Sequence, residues 1–342
     1  MELVNPLQST DWDEKLLSLK NATFFYTKAW AQVLFESYGY KPIYFAIQKD
    51  NKFNAVLPLM EISSVFTGKR GVSLPFTDHC APLGSDNKYL GELLNATIRF
   101  GAAERWKYLE QRAGFTDEFE IPSYCRYYGH TLDLSQGKEQ ILKGIRKNFL
   151  RNINKAKDKN VSCQISHSKK AMDEFYQLNC MTRQSHGLPP QPYKFFKKVY
   201  EHIISSKKGI ISLASYNEKS IAAAIFFHFN KHVIYKFGAS NKNFHHLRPN
   251  NLVMFKAIEW YVDNGFSTLD FGRTDIEHNG LDRYKIGWGA VKHQIRYYIY
   301  DFKRKKYREE VNGRNAFYEK YFQKLPIPIL QLIGRIAYRH MG

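Results

Sequence analysis

The sequence predicts an α/β protein made of two similar units, and a repeated order of elements, the chain length and the apolar content all point there. Two hairpin patterns lie half a chain apart. Pro42-Ile-Tyr-Phe-Ala-Ile-Gln48, a polar turn over 49–51 and Phe53-Asn-Ala-Val-Leu57 form the first. Ile210-Ile-Ser-Leu-Ala-Ser-Tyr216, a turn over 217–219 and Ile221-Ala-Ala-Ala-Ile-Phe-Phe227 form the second. Apolar β-branched and aromatic runs bounded by polar residues are strand signals. Each hairpin is followed later by a helix and a short strand: 93–104 then Tyr108-Leu-Glu110, and 252–264 then Leu269-Asp270. Leu109 with Glu110 and Leu269 with Asp270 keep one offset, for which a duplicated unit is the economical explanation; chance similarity is the alternative, because hairpin, helix, strand is a common order. At 342 residues, 44% apolar and 15% aromatic, the chain has material for two cores.

The elements follow in order. A helix over 251–264 carries Leu252, Phe255, Ile258 and Val262 on one side, with Met254, Ala257 and Tyr261 widening the stripe, so it faces a sheet. Asn250 or Asn251 caps it and Gly265 ends it. The helix dipole and Arg248, just upstream, would suit an anion; an ordinary cap is the alternative. Helices over 171–184 and 193–205 are separated by a segment with the double proline Pro189-Pro190, which neither helix can cross. Lys143, Lys147, Arg151, Lys155 and Lys159 recur every fourth residue, and Ile145, Phe149, Ile153 and Ala156 form the complementary apolar row. That spacing predicts one amphipathic helix with a cationic face, either solvated or bound to tRNA, a nucleotide or a lipid phosphate. After the basic run 303–306, the apolar tail reaching Tyr338 is expected to pack on the first unit; a membrane interface is the alternative.

The formal net charge of +19 favours polyanionic, phosphorylated or membrane-surface partners. Cys80, Cys125, Cys163 and Cys180 form no Cys-x-x-Cys pair and show no zinc spacing, so a reduced, cytoplasmic protein is expected. The N-terminus lacks the basic start and apolar core of a signal peptide, and no run is long enough to span a bilayer. Asp270-Phe-Gly272 imitates a kinase motif without the accompanying catalytic loop, and no Gly-x-Ser-x-Gly elbow appears. His245-His246 and Asp78-His79-Cys80 have no ligand partner at a fixed spacing, so no metal is expected.

Several stretches taken in order resemble the FemAB-related branch of the GNAT acyltransferase superfamily. They are Val56-Leu-Pro-Leu59, Phe66-Thr-Gly-Lys-Arg-Gly-Val-Ser-Leu-Pro-Phe76, Ile145-Arg-Lys147, Thr182-Arg-Gln-Ser-His-Gly-Leu-Pro189, Phe237-Gly-Ala-Ser240, Pro249-Asn250, Asp270-Phe-Gly-Arg273 and Tyr284-Lys-Ile-Gly-Trp-Gly289. The resemblance implies two tandem GNAT-like domains with mixed, largely antiparallel sheets flanked by helices, over 1–140 and 141–302, the second holding the active site, with 303–342 as the tail. It implies transfer of an acyl or aminoacyl group to a cell-envelope or polysaccharide precursor, from acyl-CoA, an acyl carrier or aminoacyl-tRNA, with no tightly bound cofactor. A non-catalytic module binding tRNA or anionic lipid is the alternative. The chain departs from tRNA-dependent members in lacking an inserted coiled-coil arm. It also lacks the usual GNAT pyrophosphate loop, whose place residues 241–250 take.

By that resemblance Lys285, beside Tyr284, approaches the acyl-transfer centre, where a cation near the carbonyl oxygen is a large catalytic term. Gly287 and Gly289 permit close backbone approach, whereas a surface lysine after a turn is the plainer reading. Asp275 is the candidate to orient the attacking amine or take its proton, and Arg273 to hold a carboxylate or phosphate, unless Arg273 merely pairs with Asp270 or Asp275. Arg183 and His186 stand where a helix ends and a cleft could open, with helix capping as the other role for His186. Tyr235, Ser240, Arg248, Asn250 and Trp288 complete the expected substrate-binding set.

Overall fold

The structure is a computed structural model that describes residues 1–84, 86–113, 121–309 and 319–342. In chain order β1 (Glu2–Val4), α1 (Trp12–Leu16), α2 (Lys28–Tyr38), β2 (Lys41–Pro42), β3 (Tyr44–Lys49), β4 (Lys52–Leu57), β5 (Met60–Ser64), β6 (Gly68–Val72), β7 (Leu83–Gly84), α3 (Asn87–Ala103) and β8 (Tyr108–Arg112) lead into β9 (Cys125–Asp133). There follow α4 (Lys138–Gly144), α5 (Lys147–Asp158), β10 (Ser162–Ser166), α6 (Lys169–Ser185), α7 (Tyr193–Val199), β11 (Gly209–Tyr216), β12 (Lys219–Phe229), β13 (His232–Ser240), α8 (Pro249–Asp263), β14 (Thr268–Asp270), β15 (Thr274–Asp275) and α9 (Asn279–Ile286). The chain closes with β16 (Val291–Asp301), β17 (Lys306–Tyr307), α10 (Glu319–Phe322) and α11 (Ile327–Met341).

These elements fall into two compact units. One comprises Met1–Tyr128, Gln294–Gly313 and Ala337–Gly342; the other comprises Gly129–His293 and Arg314–Ile336. The division differs from boundaries at 140 and 302, because β9, β16 and α11 each pass from one unit to the other. The tail expected on the first unit places only Ala337–Gly342 there, where the Tyr40 hydroxyl donates to the Tyr338 carbonyl at 2.9 Å.

In the first unit, β3 and β4 form the expected hairpin, turning through Asp50 and Asn51, both at positive φ as a two-residue turn of this hand demands. Proline lacks the amide hydrogen a ladder needs, and beyond Pro58 the chain leaves β4 to pair as β5 with β2 and β6. The parallel neighbour of β6 is β8, through Gly71 with Leu109 and Val72 with Glu110. The second unit repeats this device. Its hairpin β11–β12 turns through Asn217 and Glu218, again at positive φ. Its parallel pair joins β13 to β14, through Val233 with Leu269 and Ile234 with Asp270. A parallel pair needs a long crossover, which α3 supplies in one unit and α8 in the other. The offset between Leu109 and Leu269 is thus the offset between equivalent positions in the two parallel strand pairs.

In the second unit β10, β11, β12, β13, β14 and β9 lie side by side in that order. Helix α8 packs on β10, β11 and β12 with Leu252, Val253, Met254, Ala257, Ile258 and Tyr261 buried. Its start differs from the expected asparagine cap. Arg248, at φ 61°, is the N-cap residue, Pro249 occupies the first turn, and the Asn251 N–H bonds to the Arg248 carbonyl. Asn250 is left with its side chain toward Ser240. Gly265 follows the C-cap at φ 71°, as expected.

The basic stripe is also divided differently. Ile145 and Arg146 are extended, so Lys143 lies on α4 while Lys147, Arg151 and Lys155 lie on α5, with Lys159 at its C-cap. All five cations are exposed, and Ile145, Phe149, Ile153 and Ala156 are buried as the periodicity requires. The break arises because the Arg146 N–H bonds to the Gly287 carbonyl at 2.9 Å rather than within a helix.

Truncation of Ile258, only 2% exposed beneath the sheet, removes buried apolar area and leaves a cavity. Ile258→Ala is expected to cost about 2–5 kcal/mol of stability. Chemical denaturation monitored by far-ultraviolet circular dichroism measures it; a loss below about 1 kcal/mol would contradict the packing described.

Candidate functional site

Strands β13 and β14 stay paired only as far as Ile234 and Asp270. Beyond that point β13 runs on to Ser240 against β12, with a register shift opposite Ile225 and Phe226, while the Phe271 N–H bonds at 2.9 Å to the His130 carbonyl of β9. The chain after β14 thus turns away from β13. In open sheets the carboxyl ends of parallel strands, where neighbours part, are where ligands are received. Two groups of side chains gather along this opening.

The inner group is organised by α9, a helix where the plainer reading had Lys285 after a turn. His278 caps it, its Nδ1 accepting from the Leu281 N–H at 3.2 Å. Asp282 and Lys285, three apart, share a face. Lys285 is 3% exposed, and its Nζ donates to the carbonyls of Gly272 at 2.7 Å and Arg273 at 3.0 Å. This is the reverse of a surface lysine: the ammonium binds the backbone that β14 leaves behind. Asp282 Oδ1 lies 2.9 Å from Nε2 of the fully buried His130, and Asp282 Oδ2 lies 3.5 Å from Lys292 Nζ. Burial holds the His130 imidazole below its ordinary value, against the raising influence of Asp282, while Lys285 and His293 add repulsion in the same direction as burial. Burial would raise the Asp282 carboxyl, but contact with His130 and Lys292 outweighs it and keeps the group low. The pair is therefore a carboxylate with a neutral imidazole whose Nε2–H faces it, a tautomer assigned from the hydrogen bond. Nδ1 of His130 is buried and has no hydrogen-bond partner among the described residues.

Burial also raises the phenols of Tyr284 and Tyr235, the latter to about 12, and Tyr235 raises Tyr284 further. Both are neutral O–H donors at physiological pH. The Tyr235 ring lies between Phe226 and Phe271, and its hydroxyl rests on Gly238, where a Cβ would collide with it. Trp288 is fully buried, its ring 5.1 Å from Phe149 and 6.1 Å from Tyr284. It is a core side chain rather than a substrate-facing one. Gly287 makes the close approach its type allows, because a Cβ there would stand 2.6 Å from the Phe149 ring. Arg273 is half-buried with its carbonyl engaged by Lys285, and Asp275 is exposed on β15.

The outer group lines a cleft of about 500 Å³ whose walls include Thr182, His186, Ser240, Lys242, His245 and Gln323. Ser240 Oγ is 2.8 Å from His245 Nε2 and accepts from Asn250 Nδ2 at 3.3 Å. Thr182 Oγ1 donates to the Ser240 carbonyl at 3.1 Å and accepts its N–H at 2.9 Å, fixing the end of β13 to α6. Burial, then Arg248, holds His245 below its ordinary value. Arg183 points to its own loop, donating from Nε to the Pro189 carbonyl at 3.2 Å. Arg248 and His186 are exposed.

The structure thus brings Tyr284, Lys285 and the Arg273 backbone together within the inner group, and Ser240, Asn250 and His186 within the outer one. His130, Asp282 and His245 were absent from the expected set. His130 meets Asp282 across 152 positions of sequence, which leaves no local signal. Asp282 had one: its spacing from Lys285, visible once 279–286 is taken as a helix.

Residues 143–286 match a family model described as an acetyltransferase (GNAT) domain. No curated protein matches the sequence significantly. The fold is similar to that of FemX, with a TM-score of 0.68 and 13% identity over 86% of this chain and 97% of that one. It is similar to L-PGS from Bacillus licheniformis, with a TM-score of 0.54 and 12% identity over 98% of this chain and 99% of the other. It is also similar to a tandem GNAT protein from the clavulanic acid biosynthesis pathway, with a TM-score of 0.54 and 7% identity over 88% and 98% of the two chains. At such identities the likeness is one of fold. The matched segment is less than half of the chain and takes in β13, α8, β14 and Lys285; the mixed α/β fold as a whole is similar to that of the tandem GNAT protein.

Proposed function

We propose that this protein is an acyl- or aminoacyltransferase whose reaction takes place in the second unit, where β13 leaves β14. The observation that carries the reading is the opened parallel pair, with two protonated phenols and a buried lysine beside it, inside the segment matched by the acetyltransferase domain. The product would be an amide, or an ester, on a cell-envelope or polysaccharide precursor. The donor would be acyl-CoA, an acyl carrier or aminoacyl-tRNA.

In the reaction the acceptor amine attacks the acyl carbon, the carbonyl oxygen takes negative charge, and the bond to the donor sulfur or oxygen then breaks. The surplus proton of the amine passes to the leaving group. Tyr235 and Tyr284 supply O–H donors for the oxyanion or the leaving group. Lys285 holds Gly272 and Arg273 in place and contributes positive charge at low dielectric. Asp275 is exposed and suited to orienting the amine, with Arg273 as the anchor for an acidic group on the substrate. The outer cleft, with His186, Ser240, Arg248 and Asn250 at or near it, would take the polar end of the donor. From Tyr235 to Ser240 an extended strand covers about 15 Å, enough to separate an acyl group from the polar end of its carrier.

The exposed cations of α4 and α5 favour a second reading, a basic module that binds tRNA or anionic lipid without catalysis. Mass spectrometry of copurifying material distinguishes the donors: a thioester supports CoA or a carrier protein, and a charged tRNA supports aminoacyl transfer. Reversal of Lys147 and Arg151 to Glu should abolish polyanion binding and its salt dependence if those cations make it; unchanged binding would mean that the face is merely solvated.

Lys285→Met, which keeps the buried stem and removes the ammonium, is expected to lower kcat by about 10²–10³. Thermal unfolding measured alongside separates lost catalysis from lost folding, and Tyr284→Phe provides a second variant that preserves the ring. Undiminished turnover in both variants would remove the assignment.

The low folded value of His130 also fixes a pH dependence. Below its ordinary value of 6.5 the unfolded chain takes up a proton that the folded protein refuses. Stability contributed by His130 is therefore complete above about 6.5 and lost as pH falls toward its lower folded value. His130→Asn should flatten the stability profile below about pH 6.5 relative to wild type. Denaturant titrations at several pH values measure the difference, and parallel profiles would refute it.

A further inference from the structure

One face of α11 is spent on the second unit. Leu330 and Gly334 are buried, Gly334 against the Pro190 carbonyl, and Gln331 Nε2 reaches Cys180 Sγ at 3.4 Å and Tyr176 Oη at 3.5 Å. The Gln184 side chain donates to the Leu325 carbonyl at 2.9 Å, fixing the turn before the helix. The opposite face is apolar as well. Ile329, Leu332 and Ile336 follow one another at helical spacing and are 46%, 57% and 57% exposed. A helix that only packed on its own protein would carry polar residues there.

Charge indicates what covers this row. From Lys320 to Gly342 the sequence has no acidic residue; Lys320 and Lys324, just before the helix, and Arg335 on it are all exposed. Two copies of such a surface would repel each other in a chain of net charge +19, whereas an anionic surface with an apolar interior satisfies both features. An apolar row flanked by cations is the pattern of helices that lie in the plane of a bilayer interface. No described helix is long and apolar enough to cross a membrane, and the fifteen residues of α11 extend about 22 Å, less than a hydrocarbon core.

We propose that the Ile329–Leu332–Ile336 face of α11 docks onto the interface of a bilayer rich in anionic lipid, with the three side chains entering the headgroup boundary and Lys320, Lys324 and Arg335 meeting lipid phosphates. The inference is independent of the reaction proposed above.

Cosedimentation of the full chain with vesicles tests it. The protein should bind vesicles of phosphatidylglycerol and phosphatidylcholine, and at least tenfold less to phosphatidylcholine alone. The triple variant Ile329→Ser, Leu332→Ser, Ile336→Ser should lose at least tenfold of that binding while its thermal unfolding stays unchanged, because the replaced groups are exposed. Arg335→Glu should weaken binding and reduce its dependence on salt. Failure of the wild type to bind the anionic vesicles, or binding by the triple variant equal to wild type, overturns the proposal. So does binding that is lost on Lys147→Glu with Arg151→Glu but kept in the triple variant. A concentration-dependent dimer abolished by the triple variant would assign the face to a second copy and equally overturn it.

Discussion

Two backbone carbonyls at the open end of a parallel strand pair, and the buried ammonium that binds them, hold the second unit in its working form. When β14 ends at Asp270 the following peptide groups lose their pairing with β13. A buried acceptor without a donor costs about 1–3 kcal/mol, and an ammonium buried without partners costs more. Lys285 and the carbonyls of Gly272 and Arg273 resolve both penalties together. The same contact fixes α9 to the end of β14, and Asp282 on the same helix face fixes it to β9 through His130. The opening between β13 and the segment after β14 is thereby maintained by side chains that also carry the local charge.

The two units show how one backbone plan receives different chemistry. Each has a hairpin turning through two residues at positive φ, a crossover helix and a parallel pair. At the end of β8 in the first unit, Glu110 is paired with Arg112 at 2.8 Å, and the nearby bridge partner of Arg112, Cys80, has its thiol raised by burial. In the second unit the equivalent strand ends beside a lysine, an imidazole–carboxylate pair and two protonated phenols. Packing conserves the frame, and the residues at the strand ends decide what each frame can bind or transform.

Charge is distributed by the same logic. The long side chains of Lys143, Lys147, Arg151, Lys155 and Lys159 stay in water because Phe149, Ile153 and Ala156 occupy the inward face of α5. Phe149 further meets Trp288 and Tyr284, so the basic helix and the inner group share one core. The cationic face and the inner group are consequently two sides of a single layer.

Local pattern was sufficient for the hairpins, for the buried stripe of α8, for the helices flanking Pro189 and Pro190, and for the repeat visible in Leu109 and Leu269, because these follow from side-chain period and backbone restrictions within a few residues. Lys285 was singled out by the family resemblance, with the neighbouring glycines only allowing close approach. Tertiary structure decided the rest. Whether Lys285 met solvent or two carbonyls depended on where β14 stopped, and the meeting of His130 with Asp282 depended on β9 joining the sheet across 152 residues. The break at Ile145 and Arg146 depended on a carbonyl contributed by Gly287, and the placing of Trp288 in the core depended on Phe149 packing against it. Each is a contact between segments remote in sequence, and a chain records such contacts only in the shape it folds into.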